Sequence, residues 1–144
     1  MSRVAITGCR QAWLLPLGPR LLGRVLRGML ERAPGSVELC LVRDGSMALL
    51  NRRHLGCAGP TNILAFPSSF SPPCGGDGPL GSLVLCVDAA RREAMLYGQE
   101  EAEYCLRLLA HGLAHLLGHD HGPEMDSLCE DLLYSAKKEL LSAC

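Results

Sequence analysis

The stretch HGLAHLLGHDH, residues 111–121, holds four of the five histidines of the chain. The leucines in and before this stretch predict a buried helix. Histidines four residues apart lie on one face of a helix, so His111 and His115 can share a metal ion. Gly118 permits a sharp turn that can bring His121 back beside them. The stretch therefore predicts a central helix with a metal site at its end.

The ligand set favours zinc. Three neutral imidazoles suit Zn²⁺ and leave its fourth position open to water, as in a catalytic site. The spacing His-x3-His-x2-Gly-x2-His is that of the ligands in metzincin proteases. Three alternatives stay open: His119 replaces one of the three ligands, the histidines are incidental on a capped core helix, or a Cys/His set holds a structural zinc.

Residues next to the histidines indicate the reaction. The protease mechanism needs a glutamate directly after the first histidine, where this chain has Gly112. Peptide hydrolysis is therefore disfavoured, whereas a metal that polarises a phosphoryl oxygen suits phosphodiester cleavage. Asp120 is predicted to orient a ligand imidazole or to accept a proton. Its alternative role is to cap the loop.

The rest of the chain predicts one α+β domain over residues 1–144. Strands are expected at 4–7, 36–42, 62–66 and 81–87. The third strand is flanked by prolines, which favours a sheet edge, and the fourth is almost continuously apolar, which favours the sheet centre. Helices are expected at about 17–32, 45–55, 89–98, 100–117 and 123–141. Asp44 and Asp88 are expected to cap the second and third of these helices.

Composition is that of a globular protein, with 48% hydrophobic and 20% charged residues. The net charge of −1 hides an asymmetry: residues 1–60 carry nine arginines and three acidic residues, and residues 61–144 carry five basic and twelve acidic residues. A basic half can attract a polyanion such as nucleic acid, although arginines on a helix can equally well only solvate its outer face.

The cysteines and the apolar segments indicate a compartment. Eight cysteines without a CxxC pair or a signal peptide are typical of free thiols in a reducing compartment. No apolar segment has the length of a membrane span. A bacterial cytoplasm is expected, with an organelle matrix as the alternative.

The histidine stretch resembles the signature of the YbeY family of rRNA-maturation endoribonucleases, His-Gly-x-x-His-Leu-x-Gly-Tyr-Asp-His. Two further stretches are similar to family segments in the same order: LLNRRHLGCAGPTNILAFP (49–67) and LGSLVLCVDAARREA (80–94). The resemblance covers nearly the whole chain from about residue 36. It implies a mixed four-stranded sheet flanked by helices, and one zinc ion held by His111, His115 and His121.

The resemblance also implies a single-strand-specific endoribonuclease that matures the 3′ end of small-subunit rRNA and acts in ribosome quality control. The strand that begins at Asn62 would line a cleft beside the metal and bind substrate. Three positions depart from the family: Leu55 replaces an arginine, Ser82 an aspartate and His119 a tyrosine. Arg52 or Arg53 is the expected substitute for the missing arginine.

Three hypotheses follow. The leading one is the zinc-dependent endoribonuclease, acting on single-stranded rRNA with the small ribosomal subunit, ribosomal proteins or an assembly GTPase as partners. The second is a ribosome-assembly or rRNA-binding factor with little or no nuclease activity. The third is a metallopeptidase, against which Gly112 argues. The sequence indicates neither the cleavage position nor the oligomeric state.

Overall fold

A computed structural model describes residues 3–55, 61–68 and 78–142. Its sheet contains β1 (Arg3–Thr7), β2 (Ser36–Val42), β3 (Ile63–Pro67) and β4 (Pro79–Cys86). The helices in the described part are α1 (Cys9–Ala12), α2 (Pro19–Leu30), α3 (Asp44–Leu55), α4 (Val87–Leu96), α5 (Glu101–Leu116) and α6 (Pro123–Ser142). The predicted α+β fold is confirmed, with α1 as a short addition to the five expected helices.

The sheet is mixed, with strand order β1-β2-β4-β3. Strands β1, β2 and β4 are parallel, and β3 runs antiparallel to β4. The predictions for the two apolar strands are confirmed, because β3 forms an edge and β4 lies between β2 and β3. Residues Leu83–Cys86 of β4 are buried as a continuous run, as expected for a strand that is covered on both faces.

Helices cover the two faces of the sheet unequally. The larger core lies on the face covered by α2 and α5, and α6 packs against both of these helices. A smaller cluster on the other face joins α3 and α4 to the sheet through Met47, Val84 and Ala89. Leu106, Leu109 and Leu113 of α5 are fully buried, so the helix that carries the histidines is central, as predicted.

The N-termini of α3 and α4 differ from the prediction. Helix α3 begins with Asp44 as its first residue, and the carboxylate of Asp88 accepts a hydrogen bond from the Asp44 N–H at 3.0 Å. Helix α4 begins one residue before Asp88, with Cys86 at its N-cap position and no side-chain cap. The prediction that each aspartate caps its own helix is therefore wrong. Asp88 caps the neighbouring helix α3 instead, and Arg43 and Arg92 bind the two carboxylates.

None of the helices within the described residues is both long and apolar enough to span a membrane.

Candidate metal centre

The three predicted ligands meet at the C-terminal end of α5. His111 and His115 lie one turn apart on this helix, and Gly118, with a φ of 89°, turns the chain so that His121 faces them. The ring centroids of His121 lie 5.3 Å from His111 and 5.2 Å from His115. Ligand atoms of all three residues fall within 4.8 Å of one another. The backbone thus gathers three nitrogen donors around one point.

The distance between two of the nitrogens matches that between neighbouring ligands of a tetrahedral metal site. The Nε2 atoms of His111 and His115 are 3.2 Å apart. Two ligands at the usual Zn–N distance in a tetrahedral site are separated by about 3.3 Å. The Nδ1 atom of His115 lies 3.1 Å from the main-chain oxygen of His119. Because a carbonyl only accepts, Nδ1 carries the proton and Nε2 presents its lone pair to the centre.

The surroundings of His111 favour its neutral imidazole. Burial lowers the pKa of His111 below its ordinary value, and the neighbouring His115 and His121 lower it further. Metal coordination requires the deprotonated ring nitrogen. The half-buried environment of His111 therefore keeps that ligand ready for a cation.

His119 and Asp120 occupy the turn between the helix and His121. His119, considered as an alternative ligand, contributes its main-chain oxygen to His115, and its imidazole is not part of the three-residue cluster. The side chain of Asp120 is exposed and makes no hydrogen bond or ion pair with the described residues. Its role as a proton acceptor stays a prediction, and the carbonyl of His119 orients the His115 ring.

Gly112 places the helix of the ligands directly against the sheet. A Cβ atom at this position would lie 2.8 Å from Ile63 Cδ1 and 2.9 Å from Leu83 Cδ2. The absent side chain is thus what allows α5 to approach β3 and β4 closely. The sequence alone pointed to a missing protease base at this position, and it gave no sign that the space for a glutamate is missing too.

Asn62, predicted to bind substrate, anchors the start of β3. Its side-chain nitrogen donates to Glu93 at 3.1 Å, and its side-chain oxygen accepts from the N–H of Ile63 at 2.7 Å. The hydroxyl of Tyr104 donates to the same Glu93 carboxylate at 2.6 Å. Burial raises the pKa of Tyr104, and the bond to Glu93 raises it further. Sequence reasoning missed Glu93 and Tyr104, because nothing local marks two residues that meet Asn62 only in the folded chain.

Arg52 and Arg53 are exposed in the last turns of α3 and have no hydrogen-bond or ion-pair partner among the described residues. The same end of the helix reaches β3, because the ring of His54 packs edge-on against Phe66 with centroids 5.1 Å apart. The last turn of α3 therefore lies beside the strand that α5 covers from the other face. The side chain of Leu55 lies outside the described residues.

Ser82 stands opposite a carboxylate. It pairs with Glu38 of β2 in the parallel register, and its hydroxyl lies 3.4 Å from Glu38 Oε2. Strand β2 thus places the carboxylate of Glu38 beside Ser82, the position at which the family resemblance predicts an aspartate. This partner is not visible in the sequence, because 44 residues separate the two positions.

A second cluster with ligand-type atoms comprises Asp44, Cys86 and Asp88. Its carboxylates are already neutralised: Arg43 binds Asp88 at 2.9 Å and Arg92 binds Asp44 at 3.1 Å. Burial raises the pKa of the Cys86 thiol to about 11, so the sulfur is protonated at neutral pH. This cluster joins α3, β4 and α4, and it offers no free charge to a metal ion.

The comparisons with known proteins agree with the geometry. Residues 21–142 match the family model described as Endoribonuclease YbeY. Endoribonuclease YbeY of Nitratidesulfovibrio vulgaris is 46% identical over 150 aligned residues, covering 90% of this chain and 92% of its own. The protein of the same name from Lawsonia intracellularis is 38% identical, covering 93% of this chain and 97% of its own.

A solved structure shares the fold. The solution structure of TM1509 from Thermotoga maritima superposes with a TM-score of 0.67 at 21% identity, over 99% of this chain and 93% of that one. The family match spans the sheet from β2 onward together with the three histidines, and the two relatives align over nearly the full length. The chain belongs to the YbeY family.

Proposed function

We propose that this protein is a zinc-dependent, single-strand-specific endoribonuclease that acts in rRNA maturation, with residues 1–144 forming one metallohydrolase domain. The observation that carries the proposal is the cluster of His111, His115 and His121, whose ligand atoms lie within 4.8 Å of one another, with 3.2 Å between the Nε2 atoms of His111 and His115. The names of the relatives, Endoribonuclease YbeY, support the reaction. Gly112 stands where a metalloprotease has its glutamate base, which argues against peptide hydrolysis.

The residues around the cluster have separate roles in this proposal. The three imidazoles hold the ion, and the carbonyl of His119 keeps the ring of His115 in position. Zinc, when bound, supplies Lewis acidity toward a phosphodiester. The carboxylate of Asp120, exposed in the turn between His115 and His121, takes up the proton of the attacking group.

Substrate binding is assigned to the side of the site formed by α3 and β3. Arg52 and Arg53 are exposed cations without a partner in the described part of the chain, and phosphate is the ligand that such side chains favour. The amide of Asn62 uses one N–H to bind Glu93, so its second N–H remains for a phosphate or a ribose oxygen. Single-stranded RNA would thus pass between α3 and the histidine turn.

The test is cleavage of a labelled single-stranded RNA that spans the 3′ end of precursor small-subunit rRNA, compared with the same sequence as a duplex. We expect zinc-loaded protein to cleave only the single strand. His115→Ala is expected to reduce cleavage to background. His119→Ala is the matched control and is expected to stay active, because only the main chain of His119 touches His115. Equal activity of His115→Ala and the unmodified protein would refute the proposal.

The same reaction identifies the nucleophile. Products that end in a 2′,3′-cyclic phosphate would mean attack by the neighbouring 2′-OH, and a 5′-phosphate together with a 3′-hydroxyl would mean attack by water. End-group analysis by mass spectrometry separates these two outcomes, and both are compatible with the proposed residues.

A second candidate is a ribosome-assembly or rRNA-binding factor with weak or no nuclease activity. Leu55 motivates it, since the family resemblance places an arginine there. If the His115→Ala variant binds the small subunit as well as the unmodified protein does, and still supports maturation, the binding factor is favoured. A metallopeptidase is the weaker third candidate, and zinc-dependent processing of a peptide panel would revive it.

The setting follows from the proposed reaction. The substrate is single-stranded rRNA on the small ribosomal subunit, ribosomal proteins or an assembly GTPase are the expected partners, and the bacterial cytoplasm is the expected compartment. The two relatives named above are bacterial, which supports this choice over an organelle matrix.

A further inference from the structure

A groove runs along the free edge of the sheet, on the side away from β3. It lies between β1 and α2 and has a volume of about 790 Å³. Its apolar floor is formed by Val4, Ile6 and Leu21, and its rim by Arg20, Arg24 and Arg27. Strand β1 lies outside the segment that matches the family model, which begins at residue 21. The groove has no residue in common with the metal site.

The edge of β1 offers hydrogen-bonding groups. The N–H of Arg3 donates to Gly35 beside β2, so the main-chain groups of Arg3, Ala5 and Thr7 face β2. Those of Val4 and Ile6 alternate with them and face outward. Among the described residues, only the thiol of Cys9 reaches these outward groups, at 3.7 Å from the Ile6 oxygen. Two N–H groups and the Val4 carbonyl thus have no partner in the described part of the chain and can pair with an added strand.

The rim of the groove is strongly cationic. Arg20, Arg24 and Arg27 follow one another at intervals of four and three residues, so they lie on one face of α2, and all three are exposed. Arg24 pairs with Glu139 at 3.2 Å. Arg20 and Arg27 have no acidic partner in the described chain, and no acidic residue lines the groove. The groove therefore favours a ligand that carries negative charge.

We propose that this groove binds an extended acidic segment of a partner protein, which adds to the sheet as a strand beside β1. Main-chain bonds would form with Val4 and Ile6, and alternate side chains of the segment would enter the groove. A segment with apolar and acidic residues at every second position matches the floor and the rim together. The surface is thus a docking site for a protein partner.

Other occupants fit the groove less well. Single-stranded RNA complements the arginines, but it has no alternating N–H and C=O groups for the edge of β1. A second copy of this chain complements the edge, but a two-fold axis at β1 would place the arginines of both α2 helices against each other. Only an acidic peptide uses both features.

Docking at β1 leaves the metal centre open. Adjacent strands are separated by about 4.8 Å, so the outer edge of β1 lies about 14 Å across the sheet from β3. Helix α5 packs against β3 and β4. A partner held at the groove would therefore hold the protein on a larger assembly without covering the histidines.

The test uses defined peptides and the full chain. The probe is a fluorescein-labelled nonapeptide. Its odd positions are glutamate and valine in turn, and its even positions are threonine. A lysine-for-glutamate peptide is the charge control. Two further peptides carry N-methyl groups, one on the threonines and the other on the glutamates and valines. Binding is followed by fluorescence anisotropy, and the site is mapped by amide chemical shifts.

We expect saturable binding of the acidic probe, about tenfold weaker binding of the lysine peptide, and shifts centred on Val4 and Ile6. One N-methylated peptide should lose binding while the other keeps it, because only one edge of an added strand pairs with β1. Arg20→Glu/Arg27→Glu should reverse the preference toward the lysine peptide. Arg10→Glu/Lys138→Glu makes the same change in charge elsewhere and should leave the preference unchanged.

Several results would overturn the proposal: no saturation up to about 1 mM peptide, equal binding of both N-methylated peptides, or shifts away from β1. Displacement of the probe from Val4 and Ile6 by a single-stranded oligoribonucleotide would assign the groove to RNA. Concentration-dependent shifts of the same amides in the protein alone would assign it to a second copy.

Discussion

Replacement of Gly112 by glutamate would restore the residue that a metalloprotease uses as its base, and we expect it to destabilise the protein rather than create a peptidase. A Cβ at this position would lie 2.8 Å from Ile63 Cδ1 and 2.9 Å from Leu83 Cδ2, inside the van der Waals contact distance. Both neighbours are the ends of side chains in the core between α5 and the sheet. A longer side chain has to push these ends aside or move the helix away from the sheet.

The size of the effect follows from three contributions. Overpacking of a buried site costs about 1–3 kcal/mol, and replacement of a helical glycine by alanine returns about 1 kcal/mol. Gly112→Ala should therefore lower the free energy of unfolding by about 0–2 kcal/mol. Glutamate adds an unpaired buried carboxylate, which raises the expected loss to about 3 kcal/mol or more. This loss is a large fraction of the usual stability of such a domain.

Urea denaturation followed by far-UV circular dichroism measures both variants at pH 7.5. Gly45→Glu is the matched control, because Gly45 lies exposed in the first turn of α3 with no atom near its Cβ position. It should be neutral or slightly stabilising. A Gly112→Glu protein within about 1 kcal/mol of the unmodified chain would contradict the packing argument. Zinc-dependent peptide cleavage by that variant would contradict it as well.

Three further changes test other parts of the structure. Tyr104→Phe removes the 2.6 Å hydrogen bond to Glu93 and should lower the free energy of unfolding by about 1 kcal/mol, measured in urea, without loss of bound zinc. Asp88→Asn removes the ion pair with Arg43. Because that pair lowers the pKa of Asp88, the destabilisation should be present at pH 7 and vanish as the pH falls below about 3.8 in acid-denaturation curves. In metal-free protein, the pKa of His111 is near 6.5 in the unfolded chain and lower in the folded chain. The free energy of unfolding should therefore decrease as the pH falls below 6.5. His111→Gln should flatten this dependence when unfolding by urea is measured at several pH values.

The metal cluster was predictable because its determinants are local. A four-residue interval on a helix fixes the relation of His111 to His115, and a glycine at position 118 reverses the chain before His121. The sheet was predictable for a similar reason: prolines mark β3 as an edge, and a continuous apolar run marks β4 as central. In each of these cases the pattern that carries the information spans fewer than a dozen residues.

Contacts between distant segments were not predictable from one sequence. Asp88 caps the helix that begins at Asp44, although the residue type and sequence position of each aspartate are typical of an N-cap of its own helix. Asn62 is held by Glu93, a pairing that depends on how α4 lies beside β3. Glu38 faces Ser82 only because two parallel strands share a register. Such contacts are set by tertiary packing, which local preference does not encode.

The most direct test of the central claim is X-ray absorption at the zinc edge, made on protein whose zinc content has been measured by mass spectrometry. We expect one zinc per chain, coordinated by three imidazole nitrogens at about 2.0 Å and one oxygen. His121→Ala should lose one imidazole from the fit and weaken zinc binding. A first shell that contains sulfur, fewer than three imidazoles in the unmodified protein, or no bound zinc would contradict it.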